Sequence, residues 1–97
     1  MFDEAAQWFI VEHKTRATRV VERAPRQVQE KYEFWKELMQ CQGPEAVRKL
    51  PGFRDHPLKG WWRSCRSSSL NDQYRVMYRI DVENATIHVE KIGPHNY

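Results

Sequence analysis

The stretch His56 to Arg79 reads HPLKGWWRSCRSSSLNDQYRVMYR, and its second half decides how the chain folds. Tyr74, Val76, Tyr78, Ile80 and Val82 alternate with Arg75, Met77, Arg79 and Asp81. A period of two puts the first set on one face of a β-strand and the second set on the other. The apolar face is expected to pack on helices, which leaves Arg75 and Arg79 on the opposite face, on either side of Met77. Those arginines read either as a working surface or as the solvated outside of an antiparallel sheet. Upstream, Trp61 to Leu70 reads as the preceding strand, and Asn71-Asp72 is a turn signal joining the two as a hairpin.

The same stretch carries most of the charge asymmetry. From Val47 to Arg79, eight basic residues (Arg48, Lys49, Arg54, Lys59, Arg63, Arg66, Arg75, Arg79) stand against Asp55 and Asp72, a local net of +6 in a chain whose total is +3. Positive charge concentrated on one segment, with aromatics inside it, is the footprint expected of a protein that meets a polyanion.

Toward the N-terminus the pattern changes period. Trp8-Phe9-Ile10-Val11 is an aromatic and β-branched run that fits a first strand, with His13 at the surface just beyond it. Ala17, Val20, Val21 and Ala24 then follow helical spacing. Val28, Tyr32, Trp35 and Met39 do the same after Pro25, with Leu38 broadening the stripe and Glu30, Lys31, Glu33, Lys36 and Glu37 covering the rest. Proline is tolerated in the first turn of a helix, so Pro25 reads as the opening of a second helix. Gln42-Gly43-Pro44 stops that helix. Pro44 to Leu50 reads as a short helical turn, and Leu50 to Pro57 as a loop. Beyond the central strand, Glu83-Asn84-Ala85 is a turn and Thr86 to Ile92 the last strand. The expected fold is α+β: an antiparallel sheet of about four strands with a helical hairpin packed on one face, in the order β-α-α-β-β-β.

Ninety-seven residues, 40% hydrophobic and 30% charged, with four Gly and five Pro, are expected to form a single domain spanning residues 1–97. No apolar run approaches the roughly 18 residues that span a bilayer. The N-terminus lacks the basic start and long apolar centre of a signal peptide, so the expected location is cytoplasmic, with no membrane partner. Cys41 and Cys65 make no C-x-x-C motif and are expected to be free thiols. His13, His56, His88 and His95 form no cluster with carboxylates or cysteines that would mark a metal site, and no cofactor is expected.

The helical hairpin, Leu58-Lys59-Gly60 before a strand, Arg66-Ser67-Ser68, Tyr74-Arg75-Val76-Met77-Tyr78 and the closing Gly93-Pro94-His95-Asn96-Tyr97 together resemble the RelE/ParE superfamily of bacterial toxins. The resemblance runs from about Trp8 to Tyr97 and is strongest to the RelE/HigB-like branch. It implies the toxin of a type II toxin-antitoxin pair: an endoribonuclease that cuts mRNA on the ribosome without a metal and is held inactive by an acidic antitoxin protein. RNA cleavage by its own 2′-OH needs a base near that hydroxyl, cations for the phosphorane and an acid for the leaving 5′ oxygen. By resemblance Arg66 and Arg75 fall where phosphate-binding arginines sit, and His95 and Tyr97 where catalytic His or Tyr residues sit. Lys59, Arg63 and Arg79 would contact RNA. Close relatives often carry a basic residue where this chain has Ser69. The same superfamily includes ParE-like inhibitors of DNA gyrase, and a non-catalytic RNA-binding module is a third reading.

Overall fold

The computed structural model describes residues 7–13 and 15–94. In chain order these form β1 (Phe9–Glu12), α1 (Thr15–Arg23), α2 (Arg26–Gln42), α3 (Pro44–Lys49), β2 (His56–Pro57), β3 (Arg66–Ser69), β4 (Tyr74–Asp81) and β5 (Thr86–Pro94), with 3-10 turns at Pro51–Phe53 and Gly60–Trp62. The strands make one sheet ordered β1-β5-β4-β3-β2.

The helices form where apolar residues recur at helical spacing, and that spacing sets which face is buried. In α1, Ala17 and Val21 are buried and Val20 is partly so; Ala24 is buried just beyond the helix. In α2, Val28, Tyr32, Trp35 and Met39 are all buried. They lie against Val76, Tyr78, Ile87, Val89 and Ile92 of the central strands. Removing a side chain of this size from water contributes roughly 1.5–3 kcal/mol. The Trp35 ring stands edge-on to Tyr78 at 5.3 Å between centroids and stacks on Tyr32 at 5.8 Å.

Pro25 sits one position outside α2, which begins at Arg26. At the other end Gly43 adopts φ 85° and ψ 176°, and its N–H donates to the Met39 carbonyl at 3.0 Å. That backbone region belongs almost entirely to glycine. A Cβ there would also lie 2.7 Å from Trp8 Nε1. The turn between α2 and α3 therefore doubles as the seat for the tryptophan that leads into β1, whose N–H donates to the Gln40 carbonyl at 3.0 Å.

Two features differ from the sequence expectation. The sheet has five strands and is mixed, because β1 pairs parallel to β5, with Phe9 opposite Thr86 and Glu12 opposite Val89. A parallel pair needs a long crossover, and everything between β1 and β5 supplies it. The strand expected over Trp61 to Leu70 is only Arg66–Ser69. Its first part is instead a loop around a 3-10 turn, and the freed register is taken by the two-residue β2, where His56 pairs with Ser67. The turn before β4 forms as expected: Asn71 Oδ1 accepts from the N–H groups of Gln73 and Tyr74 at 2.8 and 2.6 Å. None of the described helices is long and apolar enough to cross a membrane.

Candidate nucleic-acid interface

The register of the three central strands fixes what the face away from the helices carries. Ser69 pairs with Arg75 and Arg75 with Gly93; Ser67 pairs with Met77 and Met77 with Lys91. Directly paired residues share a face, so Arg75, Met77 and Lys91 stand together with Ser67 and Ser69. Between Met77 and Tyr78 the register shifts, because Tyr78 pairs with Val89 and Glu90 is the extra residue of a bulge. Two consecutive polar residues, Glu90 and Lys91, thereby leave the core. Past the bulge Arg79 pairs with His88, and its Nε lies 3.6 Å from Glu90 Oε1.

This outer face therefore carries Arg75, Lys91 and Arg79 together with two acids, Glu90 beside Arg79 and Asp81 at the far end of β4. It is not an open sheet surface, since Ser67, Met77 and Gly93 are buried and Arg75 is half-buried. Met77, expected on this face between the two arginines, lies there but has no accessible surface. At the β1 edge of the same face the rings of His13 and His88 stack at 4.7 Å, and His88 Nε2 lies 3.9 Å from Asp81 Oδ2. Two hydrogen bonds from Asn84 hold the Asp81 carboxyl below its usual range.

Arg66, expected to face solvent beside Arg75, lies elsewhere. Its strand partner is Tyr78, whose side chain faces the helices, so Arg66 and Ser68 project to the helix side of β3. There the fully buried Asp55 carboxylate organises a polar cluster. Arg66 Nε donates to Asp55 Oδ1 at 2.6 Å, while Ser68 Oγ and Tyr78 OH donate to Oδ2 at 2.5 and 2.6 Å. Trp35 Nε1 donates to Ser68 Oγ at 3.0 Å, carrying the network into α2. Burial works against the Arg66 charge, but the Asp55 hydrogen bond and charge outweigh it and hold the guanidinium protonated. Burial, reinforced by Asp55, pushes the Tyr78 hydroxyl well above its ordinary range. The Arg66 side chain keeps 21% of its accessible surface, so one edge of the guanidinium still meets solvent. Arg54, at φ 45°, turns the chain so that Asp55 enters beneath β3.

Lys59 and Arg63 are exposed in the loop between β2 and β3. They flank the Gly60–Trp62 turn, and the Leu58 N–H closes the base of the loop on the Cys65 carbonyl at 3.0 Å. Burial pushes the Cys65 thiol up, which suits a packing residue rather than a nucleophile. Cys41 and Cys65 are both free thiols.

β5 runs out at Pro94, opposite Tyr74 and next to the Arg75–Gly93 pair. His95 and Tyr97, the expected proton-transfer residues, lie outside the described residues. The structure thus groups Arg75 with Arg79 on one face, puts Lys59 and Arg63 on a neighbouring loop, and sets Arg66 on the other side of the sheet. Lys91, His88 and Asp55 were missed in the sequence. The signal for Lys91 was present: two adjacent polar residues, Glu90-Lys91, interrupt an alternating strand. Asp55 gave none, since a lone acid in a Pro/Gly loop reads as surface.

No family model matches the chain, and no curated protein matches it in sequence. Its fold, in contrast, is found among solved structures. RelE in the archaeal RelE–RelB complex from Pyrococcus horikoshii OT3 is similar at a TM-score of 0.71 with 17% identity, covering 93% of this chain and 97% of that one. The E. coli DinJ–YafQ toxin-antitoxin complex contains a match at 0.69 with 19% identity, covering 92% and 93%. The YoeB/ParE toxin from Agrobacterium tumefaciens matches at 0.71 with 16% identity, covering 91% and 99%. From β1 to the end of β5, the chain shares its fold with these RelE, YafQ and YoeB/ParE structures.

Proposed function

We propose that the chain is the toxin of a type II toxin-antitoxin pair and acts as an endoribonuclease on ribosome-bound mRNA, without a metal cofactor. What supports the reading is the group of cations on the outer sheet face, Arg75, Lys91 and Arg79, together with the exposed Lys59 and Arg63 of the loop that leads into β3. It occurs on a fold found among RelE, YafQ and YoeB/ParE toxins. In this reading Arg75 and Lys91 stabilise the phosphorane formed when the 2′-OH attacks the adjacent phosphorus. Lys59, Arg63 and Arg79 hold the flanking phosphates. In the sequence His95 comes next after Pro94, and Tyr97 two positions later. The two residues are assigned to proton transfer, to the leaving 5′ oxygen and from the 2′-OH. Arg66, with its Nε committed to Asp55, offers a phosphate only its solvent-facing edge.

A small basic face aligns an RNA backbone poorly by itself, and alignment is worth roughly 7–11 kcal/mol in favourable cases. The ribosome is assigned that task, which places the protein in the cytoplasm. RelB and DinJ are the antitoxins in the complexes matched above. Here an acidic antitoxin segment would cover the same cations and silence the protein.

The test is expression of the chain in cells and addition to a purified translation mixture, with mRNA 5′ ends mapped and DNA supercoiling followed in parallel. New 5′-hydroxyl ends at ribosome-occupied codons are expected, with supercoiling unchanged. Loss of supercoiling with intact mRNA would replace this reading with gyrase inhibition.

A further inference from the structure

The loop between β2 and β3 carries a feature that neither the fold nor the cation row requires. Trp61 is 98% exposed, and Trp62 next to it keeps 38%. Full exposure of the largest apolar side chain gains nothing for folding, because no apolar surface leaves water. Nor is the side chain loosely held at its base. Gly60 takes φ 65°, a left-handed conformation that suits glycine, and a Cβ there would meet nothing, so the backbone angle alone sets the residue. The Trp62 N–H donates to the Lys59 carbonyl at 3.3 Å, the Arg63 N–H to the Gly60 carbonyl at 3.2 Å and the Cys65 N–H to the Trp62 carbonyl at 2.8 Å. The turn is therefore braced by its own backbone, and it presents one indole to solvent between two exposed cations, Lys59 and Arg63.

We propose that Trp61 is a stacking platform for an unpaired nucleobase of single-stranded RNA, with Lys59 and Arg63 holding the phosphates on either side of that base. Every base has a π-face and every nucleotide a phosphate, so an indole bracketed by two cations matches one nucleotide and its neighbours without reading sequence. Charge favours this occupant over a protein surface. Between His56 and Asn71 there is no acidic residue, whereas Lys59, Arg63 and Arg66 are all basic. A tryptophan anchor in a protein interface usually sits within an apolar patch that excludes water. Here the only exposed apolar side chain beside it in the loop is Trp62, while Lys59, Arg63 and Ser64 are exposed and polar. The braced turn also lowers the ordering cost of binding.

The inference deepens the proposed function by naming a base-binding element, and binding without cleavage tests it separately. The full chain is titrated with a fluorescently labelled unstructured oligoribonucleotide and with a strand of equal length whose bases are absent. The proteins are wild type, Trp61→Phe and Trp61→Leu. Because the side chain is exposed, all three are expected to melt together. On the base-containing strand Trp61→Leu is expected to bind about tenfold more weakly than wild type, with Trp61→Phe within about threefold. On the abasic strand the three should bind alike, held by charge alone. Equal affinity of wild type and Trp61→Leu for the base-containing strand would overturn the proposal, as would an equal loss on the abasic strand. A Trp61→Leu defect confined to antitoxin binding would assign the residue to a protein contact instead. Trp61-dependent RNA binding without cleavage would count against the nuclease assignment and leave this one standing.

Discussion

Asp55 is the residue on which the largest number of otherwise separate parts depend. Its carboxylate ties the loop after α3 to β3 through Arg66 and Ser68, to β4 through Tyr78, and through Ser68 to Trp35 of α2. Asp55→Ala would leave a partly buried guanidinium and two hydroxyls without their acceptor. It is expected to cost about 3 kcal/mol, somewhat below the usual penalty for orphaning a buried ion because Arg66 retains some water. Arg66→Ala leaves the buried carboxylate with two neutral donors and is expected to destabilise as well. Urea melts of both variants check this, and unchanged midpoints would show that the cluster is inert. The role of Arg66 in cleavage therefore has to be separated from its role in folding, for which Arg66→Lys is the better probe. Tyr78 and Tyr32 make a second prediction. Both hydroxyls are held above their ordinary value of 10.0, first by burial and then by a hydrogen-bonded carboxylate, Asp55 for Tyr78 and Glu12 for Tyr32. The folded state keeps these protons longer than the unfolded chain, so their contribution is complete below pH 10 and is lost as pH rises above it. Each tyrosine adds a slope of about 1.4 kcal/mol per pH unit over the range where only the unfolded form ionises. Thermal melts between pH 8 and 11.5 should show the loss, and Tyr78→Phe should flatten it.

At the scale of elements, both helices were legible because their buried faces repeat at 3.6 residues, and Val28, Tyr32, Trp35 and Met39 are indeed the buried residues of α2. β4 was legible because its alternation survives on the helix side. The parallel placement of β1 was not, since strand direction leaves no mark on a four-residue apolar run. Trp61 to Leu70 was misread because an aromatic pair in a basic run looks like strand, and the positive φ of Gly60 has no signature beyond the glycine itself. Gly43, in contrast, announced the end of α2, and its cost can be measured. Gly43→Ala would force alanine into a backbone region it rarely adopts and press its Cβ on the Trp8 indole. A loss of about 2–3 kcal/mol is expected. Denaturation of Gly43→Ala, alone and combined with Trp8→Ala, checks it: the double variant should recover part of the loss by removing the clash but not the strain.

At the scale of the whole molecule, the fold splits the basic run of the sequence between the two sides of the sheet and a loop. The basic segment read from the sequence becomes β3, β4 and the loop before them, and the bulge in β5 adds Lys91. Of the candidate site, Arg75 and Arg79 were legible as cations on a strand and Lys59 as one before it, whereas Arg63 was read on a strand and lies in the loop. The side on which Arg66 projects was not, because it depends on a pairing with Tyr78 that no local pattern fixes. The assignment as a ribosome-dependent nuclease rests on what Arg75 does, since it lies on the outer face, beside the strand end that leads to His95 and Tyr97. The most direct measurement is the single-turnover rate of cleavage of mRNA on programmed ribosomes by wild type and Arg75→Ala, alongside the same mRNA free in solution. Complexes should be assembled before transition metals are chelated. The expected result is rapid cleavage of the ribosome-bound message that chelation does not affect, poor cleavage of the free message, and a loss of about 100-fold or more in Arg75→Ala with an unchanged melting temperature. Wild-type rates in Arg75→Ala, or equal cleavage of free and bound mRNA, would contradict the assignment.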